Sequence, residues 1–340
     1  MRAYIASTGF HVPPNRVTNF DLVEKYGIDT TNEWIVQRTG IESRHFSVDG
    51  EGTADMALPA ALDAIKRAEI EVSDIDMIVF ATLSPEHAFP GSGCVLQALL
   101  GLPGIPAMDV RNQCSGFLYG LGSAKAFVES GMAKNVLVVG GEKQSAALDL
   151  TTQGRAVACL FGDGAGAVVV RGTNDPANQR GIHWMNLGAD GRYADMLTQK
   201  VWDNRYRPFI WKDPETGKNV VKPEMMWCQM DGKQVFKNAV EKMILSVVGM
   251  CMENKIEPAD LDLVVCHQAN MRINEYVRDQ LGLPAEKVPN NIQKYGNTTA
   301  ATIPILLAEL ERDGRLQRGM KVALVGFGSG FTWGSAYVVW

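Results

Sequence analysis

The most constraining feature of this chain is that it repeats itself. Glu71-Val72-Ser73-Asp74-Ile75-Asp76-Met77-Ile78-Val79-Phe80 and Glu257-Pro258-Ala259-Asp260-Leu261-Asp262-Leu263-Val264-Val265-Cys266 both run from an acid through Asp-apolar-Asp into an apolar stretch, 186 residues apart. Asn135-Val136-Leu137-Val138-Val139-Gly140-Gly141 and Lys321-Val322-Ala323-Leu324-Val325-Gly326-Phe327 match at the same offset of 186. Two equal offsets so far apart imply a duplicated α/β unit. Helical periodicity over about 53–69 and 232–254 precedes the Asp-x-Asp strands, and over about 114–130 and 299–312 it precedes the Val-rich strands. Alternating strands and helices predict mostly parallel sheets covered on both faces. Two such units predict an α/β fold layered αβαβα about a pseudo-twofold axis, with halves at 1–172 and 173–340. An aromatic, Met-rich and turn-rich insertion at about 200–230, including Trp202, Tyr206, Trp211 and Trp227, interrupts the second half. It is expected to pack over the domain as a lid or subunit contact.

A chain of 340 residues, 46% apolar and 21% charged, is long enough for a large globular core. Its net charge of -5 speaks against nucleic acid or an anionic membrane as the main partner. No apolar run reaches the length of a membrane span, and the first residues have none of the features of a signal peptide. The six cysteines are scattered without CxxC spacing, so neither a disulfide framework nor a zinc site is expected, and the compartment reads as reducing and cytoplasmic.

In duplicated folds of this kind sites gather at the carboxyl ends of strands. Those ends fall near Ser84–Phe89, Cys114, Gly140–Glu142, His267–Asn270, Tyr295–Asn297 and Gly326–Gly330, and the duplication brings Cys114, His267 and Asn297 to one cleft. Cys114 follows the run Ile105–Val110, read as a buried strand, and opens a helical pattern. A thiol on a first helical turn meets unpaired N–H groups and the positive end of the dipole, which favour thiolate. The plain alternatives are a small buried hydrophobe for Cys114, a structural histidine for His267 and a helix cap for Asn297. Gly326-Phe327-Gly328-Ser329-Gly330 suits either a tight turn or close backbone approach to a ligand. Phe161-Gly162-Asp163-Gly164-Ala165-Gly166 looks like a phosphate loop but lacks its lysine and spacing, so nucleotide binding is rejected.

Seven stretches together are similar to the β-ketoacyl-[acyl-carrier-protein] synthase III family of the thiolase superfamily. They are Asn32–Ile41, His87–Pro90, Cys114-Ser115-Gly116-Phe117, Phe161–Gly166, His267–Ile273, Gly296–Ala301 and Gly326–Gly334, collinear over nearly the whole chain. The resemblance implies a thiolase-like half carrying Cys114 and a second carrying His267 and Asn297. It implies a Cys-His-Asn site in which Cys114 takes an acyl group from acyl-CoA. His267 and Asn297 then bind the thioester carbonyl of malonyl-acyl-carrier protein during decarboxylation, and the N–H groups of Cys114 and Ser329 form a second oxyanion hole.

By the same resemblance Trp34, Arg38, Arg155 and Asn270 contact CoA or its pantetheine, and Lys237 and Arg272 dock the carrier protein. Phe89 and Phe327 belong to the acyl pocket and dimer contact, Phe89 reaching the partner subunit of a homodimer. No metal or other cofactor is implied, acyl-CoA being a substrate.

Three departures stand out. Arg111-Asn112-Gln113 replaces small residues before the nucleophile, Ser329 stands where the family commonly has glycine, and the 200–230 segment is long and aromatic. The last is expected to move starter choice away from acetyl. The alternatives are a specialised ketosynthase-like acyltransferase that uses another acceptor or joins two long acyl chains, and a non-catalytic scaffold binding acyl-CoA or carrier protein. A true thiolase is disfavoured because Gly326–Gly330 contains no second cysteine.

Overall fold

The apolar runs that carry the repeat form the middle of two sheets. The computed structural model describes residues 1–201, 211–212, 215–217, 219–220 and 223–340. In chain order the elements that position the site are β1 (Arg2–His11), α1 (Asn32–Thr39), α2 (Thr53–Arg67), β2 (Met77–Ala81), α3 (Ser92–Leu99), β3 (Ala107–Val110), α4 (Gly116–Glu129), β4 (Asn135–Glu142) and β5 (Gly164–Thr173). The second half contributes β6 (Gly181–Ala189), α5 (Gly232–Asn254), β7 (Leu263–Cys266), α6 (Met271–Gln280), α7 (Thr302–Arg312), β8 (Lys321–Gly328) and β9 (Thr332–Val339).

The first sheet has the order β1-β5-β4-β2-β3, and the second β7-β8-β9-β6. In each, the Asp-x-Asp strand pairs parallel with the Val-rich strand, which pairs antiparallel with the next. Both bounds of β8 lie 186 residues beyond those of β4, and α7 begins 186 residues beyond α4. The duplication therefore holds at the level of elements. Among the strands of the two sheets the exception is β3, whose equivalent stretch forms the short helix Ile292–Tyr295.

Strands buried on both faces carry apolar residues at every position, as in Met77–Ala81. Between the sheets, Phe117, Leu118, Leu121 and Val128 of α4 pack with Ile303, Leu306, Leu307 and Leu310 of α7. The outer face of the first sheet is covered by the alanine-rich face of α2, and that of the second by α5 and α6. This is the expected αβαβα layering. Small residues set the spacing in the outer layer: a Cβ on Gly9 of β1 would lie 2.3 Å from the Ala60 carbonyl oxygen.

Two expectations need correction. The run before Cys114 is not a buried strand. It is the edge of the first sheet, with Met108 and Val110 half-buried and Asp109 exposed. Its apolar residues mark a face that one copy of the chain leaves partly uncovered. The helix after it starts at Gly116 and not at Cys114, because Gln113 adopts a left-handed φ of 45° and Gln113–Ser115 form a 3-10 turn. The equivalent Thr299 has φ 46° and opens the matching turn before α7.

Part of the 200–230 insertion, including residues 202–210, lies outside the described residues. Its described end forms the short helix Pro223–Met226 and the strand Gln229–Met230, which pairs with Leu197–Thr198.

Candidate active site

Cys114, His267 and Asn297 line one cleft of about 780 Å³, counting its open mouth. Its walls are largely apolar, with Leu160, Met230, Val235, Phe236, Met243 and Phe327 among them. A space of this size and character suits a ligand held by a few convergent polar groups.

Cys114 is held by the turn and by the glycine loop that ends β8. The Ser115 hydroxyl sits 2.7 Å from that of Thr332, which donates to the Ser329 carbonyl at 2.9 Å. A Cβ on Gly328 would lie 3.0 Å from the Cys114 nitrogen and 3.1 Å from its Cβ, so a larger residue there would push on the Cys114 turn. The Ser329 hydroxyl donates to the Leu197 carbonyl, which ties the loop to the strand Leu197–Thr198 over the cleft.

The electrostatics of Cys114 reverse the expectation of a ready thiolate. The side chain is buried, and burial first, then the charge of Glu142, pushes the thiol up to about 12. Its own backbone N–H acts in the opposite direction and is outweighed. The resting side chain of Cys114 is therefore a thiol.

His267 continues β7, its N–H donating to the Val325 carbonyl at 2.8 Å. Nδ1 lies 2.6 Å from the Thr302 hydroxyl at the start of α7. Nε2 is buried without a hydrogen-bond partner among the described residues, and burial lowers the ring to about 3, which keeps it neutral. An orphaned polar atom in a cleft marks a place for a ligand atom.

Asn297 is positioned by a strap from the first half. Its N–H donates to the Leu160 carbonyl at 2.8 Å, and its carbonyl accepts from Gly162 N–H at 3.1 Å. Oδ1 accepts from Thr299 N–H at 2.8 Å, so the amide NH₂ is the group left to serve the cleft. Asn297 is not the helix cap: its Oδ1 closes a local turn onto Thr299, while Thr298 precedes the 3-10 turn and Ala301 precedes α7, neither with a side-chain cap. The glycine-rich run at 161–166 now has a purpose. A Cβ on Gly162 would lie 2.4 Å from the Tyr295 carbonyl oxygen, and Asp163 is buried among Ser47 N–H at 2.7 Å and Ser145 N–H at 2.8 Å.

The other expected residues lie around this centre. Asn270 and Phe327 line the cleft. Asn270 caps α6 through Arg272 N–H at 3.0 Å and donates to the Arg38 carbonyl at 3.0 Å. Trp34, half-buried on α1, is flanked by two guanidinium groups, Arg38 at 4.5 Å and Arg155 at 4.9 Å from the ring centre. Lys237 on α5 and Arg272 on α6 are exposed. Phe89 is 86% exposed and does not line its own chain's cleft.

Two residues escaped the sequence reading. Glu142 is wholly buried at the end of β4, bonded by the Ser84 hydroxyl at 2.6 Å, and burial pushes its carboxyl up to about 7. An acid closing an all-apolar strand was the available signal. Thr302 carried none, since its partner lies 35 residues away.

Among the described residues no group of three or more His, Cys, Asp or Glu is placed to hold a metal, and no helix is long and apolar enough to cross a membrane.

Comparison with known proteins agrees in one direction. Residues 108–191 match the family model for 3-oxoacyl-[acyl-carrier-protein] synthase III, and residues 251–340 match the model of its C-terminal part. A β-ketoacyl-[acyl-carrier-protein] synthase III of Vibrio parahaemolyticus is 43% identical over 338 residues, covering 99% of both chains. The crystal structure of a 3-oxoacyl-[acyl-carrier-protein] synthase III from Aquifex aeolicus superposes with TM-score 0.88 at 38% identity, covering 99% of this chain and 100% of the other. A priming β-ketosynthase from the R1128 polyketide pathway superposes with TM-score 0.87 at 30% identity, covering 99% of this chain and 96% of the other.

Proposed function

This chain belongs to the β-ketoacyl-[acyl-carrier-protein] synthase III family, and from that premise we propose how its residues divide the work. The reaction is the decarboxylating condensation of an acyl-CoA starter with malonyl-acyl-carrier protein, a step of fatty-acid or polyketide synthesis. The observation that carries the assignment of roles is the shared cleft, where a buried thiol meets the unpartnered Nε2 of His267 and the Asn297 amide. Cys114 becomes the acyl carrier. His267 and Asn297 hold the malonyl thioester oxygen as charge develops on it, and donors already in place there lower the barrier. The N–H groups of Cys114 and Ser329 hold the oxyanion formed when the carbanion attacks the acyl-cysteine.

Trp34 offers a face for adenine, which on arrival takes the place of one of the two guanidinium groups; Arg38 and Arg155 then face the phosphates. Asn270 contacts the pantetheine arm at the cleft, and exposed Lys237 and Arg272 attract an acidic carrier protein. The half-buried edge strand β3 and the exposed Phe89 support a homodimer in which Phe89 enters the partner's acyl pocket beside Phe327. The units are the halves 1–172 and 173–340, and six free cysteines suit a cytoplasmic setting.

Intact-protein mass after exposure to acyl-CoAs of increasing chain length, then to malonyl-carrier protein, tests this reading. An adduct on Cys114 that the malonyl donor discharges is the expected result, with none on Cys114→Ala. An adduct that persists indicates another acceptor. No adduct from any thioester, or turnover by Cys114→Ala, defeats the assignment.

A further inference from the structure

We infer that Thr302 is a positioning residue for His267, a two-way hydrogen-bond partner that lets one neutral imidazole accept a proton in the first half-reaction and donate a hydrogen bond in the second. The inference rests on the condensing-enzyme reading above. Its basis is a count of protons. The Thr302 hydroxyl lies 2.6 Å from His267 Nδ1 and 3.0 Å from the Thr299 carbonyl oxygen. A hydroxyl has one proton and two lone pairs. With that proton on the Thr299 carbonyl, Oγ1 accepts from Nδ1–H, and a bare Nε2 faces the cleft. With it turned to Nδ1, Nδ1 is bare and Nε2–H faces the cleft. Nδ1 is satisfied in both settings, while Nε2 has no partner among the described residues in either. Burial disfavours the imidazolium, so the two neutral tautomers are the resting states.

The half-reactions call for opposite tautomers. Cys114 is a thiol at rest and loses its proton as it attacks. Bare Nε2 takes that proton while sulfur bonds to the acyl carbonyl carbon. The C–S bond to CoA then breaks, and the proton passes to the departing sulfur, leaving acyl-Cys114, CoA thiol and the ring as it began. In the second half-reaction the bond from malonyl carbon to carboxylate breaks, carbon dioxide leaves, and the electron pair forms an enolate. Its oxygen needs Nε2–H beside the Asn297 amide. The carbon then bonds to the acyl carbonyl, the C–S bond to Cys114 breaks, and the cysteine sulfur takes one proton from solvent. Between the two, the ring exchanges tautomers: one proton enters at Nε2 from the cleft, one leaves Nδ1 to water when the Thr302 contact opens transiently, and the hydroxyl turns to match as the contact closes. A side chain without this hydroxyl leaves Nδ1 unsatisfied in either tautomer, at a buried site.

The test compares wild type, Thr302→Val and Thr302→Ser, each labelled with ¹⁵N-histidine. In wild type both His267 ring nitrogens should resonate between the pyrrole and pyridine limits, and the balance should move when Cys114 is acylated. Thr302→Val should shift to one limit. It should slow the half-reaction needing the lost tautomer at least about tenfold, the other half-reaction less, and Thr302→Ser should recover both. An unchanged tautomer balance in Thr302→Val, or equal slowing of both half-reactions, overturns the inference. So does a wild-type spectrum fixed in one tautomer before and after acylation, which decides the matter even if Thr302→Val does not fold. Wild type that never loads an acyl group on Cys114 would instead undo the reading of the site.

Discussion

Glu142 is expected to set the pH response around Cys114. Burial raises its carboxyl from an ordinary 4.5 to about 7, so the folded protein holds this proton more tightly than the unfolded chain does. The stability it contributes is complete below pH 4.5 and is lost as pH rises through about 7. Glu142→Gln keeps an acceptor for Ser84 and should flatten the dependence of melting temperature on pH across that window. Glu142 is also the second cause of the high thiol pKa of Cys114. The same variant should therefore react faster with iodoacetamide at Cys114 above neutral pH, and an unchanged rate would remove the coupling. These effects escape a reading of the sequence because Cys114 and Glu142 meet only through the fold.

At the level of elements, the strap Leu160–Gly162 transmits the first half's packing to Asn297. Gly162→Ala places a methyl against the Tyr295 carbonyl and the Arg44 side chain, 2.9 Å from the Arg44 Cβ. It should lower stability by about 1–3 kcal/mol, read by denaturant unfolding. It should also slow condensation more than acyl loading, given the role proposed for Asn297 in the second half-reaction; equal slowing would deny the strap this role. The repeat in sequence located α5 to its observed ends, Gly232–Asn254, and brought Cys114, His267 and Asn297 together. It erred where apolar content leaves position undetermined. Ala107–Val110 carries an exposed Asp109 among its apolar residues and sits at a sheet edge, where the inner strand Met77–Ala81 is apolar throughout; that one acid was the signal passed over. Periodicity likewise ran the helix back to Cys114, where the left-handed Gln113 imposes a separate turn.

Taken whole, the molecule is a pair of similar halves with one unequal member. Among the described residues the first sheet has five strands and the second four, and the unmatched β3 carries the chain to Cys114. In the proposed dimer this edge is covered and Phe89 is buried. Phe89→Asp should then sediment as a lighter species than wild type and lose acyl transfer together with the larger form; full activity in the lighter species would contradict a shared pocket. The unmatched strand also has a consequence for dose. If the turn bearing Cys114 takes its final shape only against a neighbour, output from a dilute preparation falls faster than the amount of protein. Well below the dissociation constant of the pair, halving the enzyme quarters the rate, so expression level itself becomes a control on how many acyl chains are started.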